Sequence, residues 1–195
     1  MEFLTKLSSK IGNNLIHSNV IKKEDAEIYI YGINQILVSV LNVSSALIIG
    51  LFFNVFLEIT VFMMAYIPLR SFAGGYHAKT PLRCYIFSVI MLIVVSMGME
   101  YLPMTTDWVN YTVFIVSLVI VLMLSPVEDK NKPLDEIEHK TYKNRTVIIT
   151  ASEFVFSLVF KLIGLENLFV AVIYSFAVLS FMLFAGKIKN LTLIT

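Results

Sequence analysis

The chain has 195 residues, of which 57% are hydrophobic and only 15% charged, and its mean hydropathy is +0.80. A soluble domain of this length is about a quarter charged and less than half apolar, so the excess apolar content belongs in lipid. The net charge of +1 gives no reason to expect a nucleic-acid partner, and the single cysteine excludes an internal disulfide framework and any multi-cysteine metal site.

The N-terminus, "MEFLTKLSSKIGNN", has no long apolar core followed by a small-residue cleavage site, and is not read as a cleaved signal peptide. Within residues 1–25, Phe3, Leu4, Leu7, Ile11 and Leu15 share one side of a helical wheel, with Lys6 and Lys10 elsewhere. That pattern predicts an amphipathic helix, either lying in the cytoplasmic leaflet or packed on the cytoplasmic end of its own bundle.

Six apolar segments follow, read against the roughly 20 mostly apolar residues that a spanning helix needs. The first runs from Ile28 to Gly50, interrupted by Asn34, Gln35, Ser39 and Asn42. The second, Val55 to Leu69, is short and carries Glu58, a costly residue in lipid that is expected to face the protein interior or a partner helix. The third spans Cys84 to Leu102, and the fourth Trp108 to Leu124. After a polar stretch come the fifth, Val147 to Ile163, and the sixth, Leu168 to Ala185. The expected fold is an all-α, polytopic membrane bundle of about six transmembrane helices forming one domain over residues 1–195. With six spans, residues 1–27, 70–83, 125–146 and 186–195 share one side, and they contain every Lys and Arg except Lys161. Short loops rich in Lys and Arg stay in the cytoplasm, so both termini are expected there.

The chemistry-bearing stretch is "GGYHAKTPLRC", between the second and third segments. Thr80 is suited to an N-cap and Pro81 to the first helical position, which places Cys84 at the end of the first turn. The positive end of the helix dipole and Arg83 both favour a thiolate there. On one continuous helix His77 would lie about 10.5 Å from Cys84, beyond a direct hydrogen bond. In a loop opened by Gly74 and Gly75 the imidazole can fold back to the sulfur, and a thiol activated by imidazole is the minimum machinery for acyl transfer. The bland alternatives stand beside this reading: a small packing cysteine, a solvated histidine, or a glycine-rich anion site at a helix N-terminus. His17, His77 and His139 are too scattered to argue for a metal.

The run "RSFAGGYHAKTPLRC", together with "SPVEDKNKPL" and the six-span plan, resembles the accessory gene regulator B family over nearly the whole chain. The resemblance implies a membrane cysteine endopeptidase that processes quorum-sensing peptide precursors, with His77 and Cys84 as the catalytic pair. Arg70, Gly75, Lys130 and Lys132 match motif positions with less defined roles. It further implies a bacterial plasma membrane and no cofactor. The implied substrate is a small precursor peptide with an amphipathic leader and an acidic tail, which the enzyme converts to a cyclic (thio)lactone; a homodimer is compatible with it. Lys79, Lys130, Lys132, Lys140, Lys143 and Arg145 could attract that acidic tail, although positive-inside topology alone accounts for them. Glu128 or Asp129 could orient His77. Two other classes stay open: a small transporter or exporter using Asn34, Asn42 and Glu58, and a non-enzymatic membrane scaffold.

Overall fold

The computed structural model describes residues 2–76, 78, 80–101, 107–128 and 134–192. Seven α-helices make up nearly all of it: α1 (Glu2–His17), α2 (Ala26–Phe52), α3 (Phe56–Ala73), α4 (Pro81–Tyr101), α5 (Asp107–Leu124), α6 (Glu136–Leu162) and α7 (Glu166–Thr192). The all-α bundle expected from the sequence is what forms. Among the described residues five helices (α2, α3, α4, α5 and α7) are long and apolar enough to cross a membrane.

The expected fifth apolar segment lies within α6, which begins eleven residues before Val147. Its start is set by a capping box: Glu138 N–H donates to Asp135 Oδ1 at 2.6 Å, while Asp135 N–H reaches back to Glu138 Oε2 at 3.4 Å. At 1.5 Å per residue, 27 residues give a helix about 40 Å long, so a polar first third can stand outside a hydrocarbon core of about 30 Å. The loop expected over residues 125–146 is therefore half helix.

Two buried clusters hold the bundle. One joins α3, α5 and α7 through Leu69, Phe114, Phe169, Ile173, Phe176 and Leu183. The other joins α2, α3 and α4 through Ala46, Ile59, Phe62, Leu92 and Val95. Helix α7 is central: 56% of its apolar stretch is buried, against 11% for α2. Lipid offers apolar side chains as good a home as another helix does, so association relies on close packing of small residues. Accordingly Gly50 faces Ile59, and Gly98 faces the Tyr174 ring and hydroxyl. The outward side chains, such as Ile48, Met64, Val94, Ile115, Val155 and Phe181, are large and apolar, as a lipid-facing surface requires.

Helix α1 packs on α2. Ser8 is fully buried, and a Cβ on Gly12 would overlap the Ile30 side chain. The inward stripe of α1 is thus centred on small residues, while Phe3 remains 74% exposed. Helix α1 is thus packed on its own bundle through α2.

The six helices α2–α7 alternate in direction. At one end lie the α3–α4 connection, the α5–α6 connection and the end of α7, joined by backbone hydrogen bonds. At the other lie Asn54, Glu58, Glu100, Asp107, Lys161, Glu166 and Asn167, around a polar cavity of about 310 Å³. Glu58 faces a partner helix, as expected: it sits in the first turn of α3, at this second end, where Asn167 Nδ2 of α7 donates to its Oε1 at 3.2 Å. The second segment, expected to end at Leu69, continues as α3 to Ala73.

Candidate functional site

The first end of the bundle gathers the residues singled out in the sequence. Helix α3 stops at Gly74 because that residue takes φ +75° and ψ −147°, a conformation essentially reserved for glycine. Gly75 follows at φ +124°. The turned chain then pairs with the α5–α6 connection: Val127 N–H donates to Ala73 O at 2.9 Å, and Gly75 N–H to Val127 O at 3.4 Å. One residue on, Tyr76 N–H donates to Met182 O of α7 at 2.9 Å. A Cβ on Gly75 would lie 2.6 Å from Arg70 Nη1 and 3.1 Å from Met182 O. Gly186 admits this loop from the α7 side, since its Cβ would come 2.8 Å from Tyr76 N.

Arg70 lies inside α3, one turn before its end, and not in the loop expected to start there. Its guanidinium donates to the carbonyls of Gly74 and Tyr76, so one rigid fork clamps both ends of the glycine turn. The Tyr76 ring is flanked by Phe87 of α4, with centroids 5.7 Å apart, and by Lys189 Nζ at 5.5 Å.

Helix α4 starts as the sequence predicts. Pro81 is its first residue, Arg83 N–H reaches Thr80 Oγ1 at 3.3 Å, and Cys84 N–H donates to Thr80 O at 3.0 Å. Cys84 therefore sits in the first turn, a free and half-buried thiol, where the helix dipole is most positive. His77, Lys79, Asp129, Lys130 and Lys132 lie outside the described residues, so the approach of imidazole to thiol expected from the sequence is outside them too. Its flanks, Tyr76 and Thr80, are held as above. Glu128 is committed locally: its Oε2 accepts from Leu134 N–H at 3.4 Å, and its carbonyl from Asn190 Nδ2 at 2.8 Å.

Sequence reasoning missed three supports of this end. Lys143 Nζ donates to Leu122 O and, at 2.8 Å, to Ser125 O, satisfying the last carbonyls of α5. Arg145 stacks on Phe72 at 5.2 Å. Asn190 of α7 ties down the α5–α6 connection. A fourth, Gly186, left a readable signal, a glycine late in an apolar run. The alternative polar set is not brought together: Asn34 and Asn42 are two turns apart on α2, each with an unpaired buried Oδ1, and Glu58 is paired at the opposite end.

Residues 5–184 match the sequence profile described as accessory gene regulator B. The chain belongs to this family. Among its relatives, an AgrB-like protein of Clostridium perfringens strain SM101 is 29% identical over 141 residues, covering 69% of this chain and 64% of its own. An AgrB-like protein of Listeria monocytogenes strain HCC23 is 27% identical over 132 residues (66% and 64% of the two chains). The accessory gene regulator protein B of Staphylococcus saprophyticus is 29% identical over 117 residues (60% and 58%). The matched stretch thus spans under two thirds of the length of these relatives. No solved structure matches the chain. The accessory gene regulator B membership covers the loop junction, the Cys84 helix and the central helix α7 alike.

Proposed function

We propose that this family member is a membrane cysteine endopeptidase acting on a small peptide precursor, with Cys84 as nucleophile and His77 as its general base. The observation that carries the reading is the position of Cys84 in the capped first turn of α4, beside a glycine turn clamped by Arg70. A thiol at a helix N-terminus is biased towards thiolate, and the clamp fixes the residue preceding His77. In the proposed reaction His77 takes the thiol proton, and the sulfur attacks the scissile carbonyl. The C–N bond breaks, and the imidazolium returns the proton to the departing amine of the acidic tail. The remaining peptide is held as a thioester on Cys84. An internal thiol or hydroxyl of the peptide then attacks this thioester, releasing a cyclic (thio)lactone and regenerating the thiol. Intramolecular attack outruns water because positioning provides effective molarities of roughly 10⁵ M or more.

The site lies on the cytoplasmic face of a bacterial plasma membrane in this reading. Support comes from charge: Arg70, Arg83, Lys143, Arg145, Lys187 and Lys189 cluster towards one end of the bundle, and short basic loops stay inside. Both termini fall on the same face, with Lys130 and Lys132 adding to the attraction for an acidic tail.

Mass spectrometry of the purified enzyme with precursor and lipid tests the chemistry. A covalent adduct on Cys84 lacking the mass of the tail, which chases to a cyclic peptide, is expected. Unchanged cleavage by Cys84→Ala would end the endopeptidase reading. Impermeant thiol labelling of an engineered cysteine at Asn131 on intact cells would overturn the topology.

A further inference from the structure

Helices α3 and α6 leave a groove of about 500 Å³ between them, within the range of small-molecule sites. Its walls are apolar, formed by Val61, Ala65, Ile149, Phe156, Phe160 and Val172. Met64 and Phe156, 71% and 62% exposed, stand at its edge, so it opens towards lipid.

One acid stands in this lining. Glu153 is only 8% exposed, and its Oε2 is buried without a hydrogen-bond partner among the described residues. The neighbouring polar side chain, Ser152, is already engaged, donating to Ile148 O at 3.0 Å. Pro68 also lines the groove, and lacking an N–H it cannot meet the Met64 carbonyl one turn back. The groove therefore combines an apolar body with one unsatisfied carboxyl and a stretch of helix short of a donor. A buried polar group without a partner is costly, and in its acid form a carboxyl presents one donor and one acceptor side by side. One residue of an extended peptide is its complement: its own N–H and C=O point to the same side and meet the acid in two hydrogen bonds. A charged headgroup at this depth would lose its hydration, whereas a neutral amide would not carry that cost.

We infer that the α3–α6 groove is a binding site for an apolar peptide, which docks the N–H and C=O of one extended residue on Glu153 and its side chains on the apolar walls. Under the endopeptidase reading the natural occupant is the apolar part of the precursor or of its product. The site itself does not depend on Cys84, so it is tested in the Cys84→Ala protein.

The test uses that protein in lipid nanodiscs and the apolar reagent dicyclohexylcarbodiimide. The carboxyl O–H adds across one C=N bond and the adduct rearranges to an N-acylurea, with nothing lost. Mass spectrometry should find one carbodiimide on the segment containing Glu153 and none in Glu153→Gln. N-acetyl-leucyl-phenylalaninamide should slow this labelling, and its isostere with ester oxygens in place of the backbone N–H groups should need about tenfold more for equal protection. Equal protection by the ester would reduce the groove to an apolar slot. Failure of the amide to protect, or absence of labelling at Glu153, would overturn the site. Protection in Cys84→Ala alongside unchanged precursor cleavage by that variant would keep the groove and discard the endopeptidase.

Discussion

Replacing Gly74 by alanine tests the loop junction most directly. Two costs add at this position. The first is conformational: a non-glycine residue at φ +75°, ψ −147° is strained by roughly 1–3 kcal/mol. The second is steric, because the new Cβ would overlap the Val127 carbonyl oxygen and lie 3.0 Å from Val127 C. That neighbour is backbone, so relief requires moving the strand-like pairing that Val127 makes with Ala73 and Gly75. Forced overpacking of this kind costs about 1–3 kcal/mol. Gly164→Ala supplies the control: Gly164 also has positive φ, at +80°, but nothing lies within 4 Å of its Cβ, leaving about 1–2 kcal/mol of strain alone. The expected gap between the two variants is therefore about 2–3 kcal/mol, or roughly 4–12 °C in melting temperature for a chain of this size. Size-exclusion thermostability in detergent measures it, and precursor cleavage should fall with Gly74→Ala only. If Gly74→Ala melts within a degree or two of Gly164→Ala, the junction is softer than its hydrogen bonds imply and the argument fails.

Arg70→Lys should lose most cleavage while the protein stays in the membrane, because a point ammonium cannot hold the Gly74 and Tyr76 carbonyls together; near-normal turnover in a cleavage assay would count against the clamp. Lys143→Met leaves the Leu122 and Ser125 carbonyls without their charged donor, and should destabilise by about 1.5–3 kcal/mol. Lys161→Met should matter less in the same melting assay, since its bridges to Asp107 and Glu166 are at the solvated end and screened by salt; a larger loss than for Lys143→Met would reverse that ranking. His77→Ala and Cys84→Ala should each abolish cleavage, with the double variant little worse than either, because residues acting as a unit are not additive.

What could be read in advance divides by the range of the interactions. The helices are local, so hydrophobic runs placed α2, α4 and α5 to within three residues, and the Thr80–Pro81 start of α4 followed from capping chemistry; α7, expected to end at Ala185, runs on to Thr192. The boundaries that moved were those set by charged side chains with hidden uses. Arg70 reads as a loop residue until its guanidinium is seen turned back on the α3 C-terminus. The stretch from Glu136 to Arg145 reads as loop because its charges mask a capping box and a helix running beyond the hydrocarbon. At the candidate site, the capped start of α4 that carries Cys84 was legible, whereas His77 lies outside the described residues. The loop scaffold was not legible, because it is made of backbone groups: Met182 O, Val127 O and Ala73 O carry no signature in the side chains at those positions.

The two ends of the bundle explain one another. A chain that orients itself by basic loops should carry no cation at the far end, yet Lys161 is there. It is held by two carboxylates, 2.6 Å from Asp107 and 3.1 Å from Glu166, and lies 5.7 Å from the Phe169 ring. These partners begin α5 and α7, and Lys161 sits in the last turn of α6, so acids meet helix N-termini and the cation a C-terminus, each in its favourable dipole position. The far-end cation is thereby neutralised by two carboxylates, while Arg70, Arg83, Lys143 and Arg145 lie towards the other end. The near end is joined differently, by backbone hydrogen bonds and the Arg70 fork. The glycine turn between α3 and α4 is thereby held by main-chain groups and one guanidinium rather than by packed side chains.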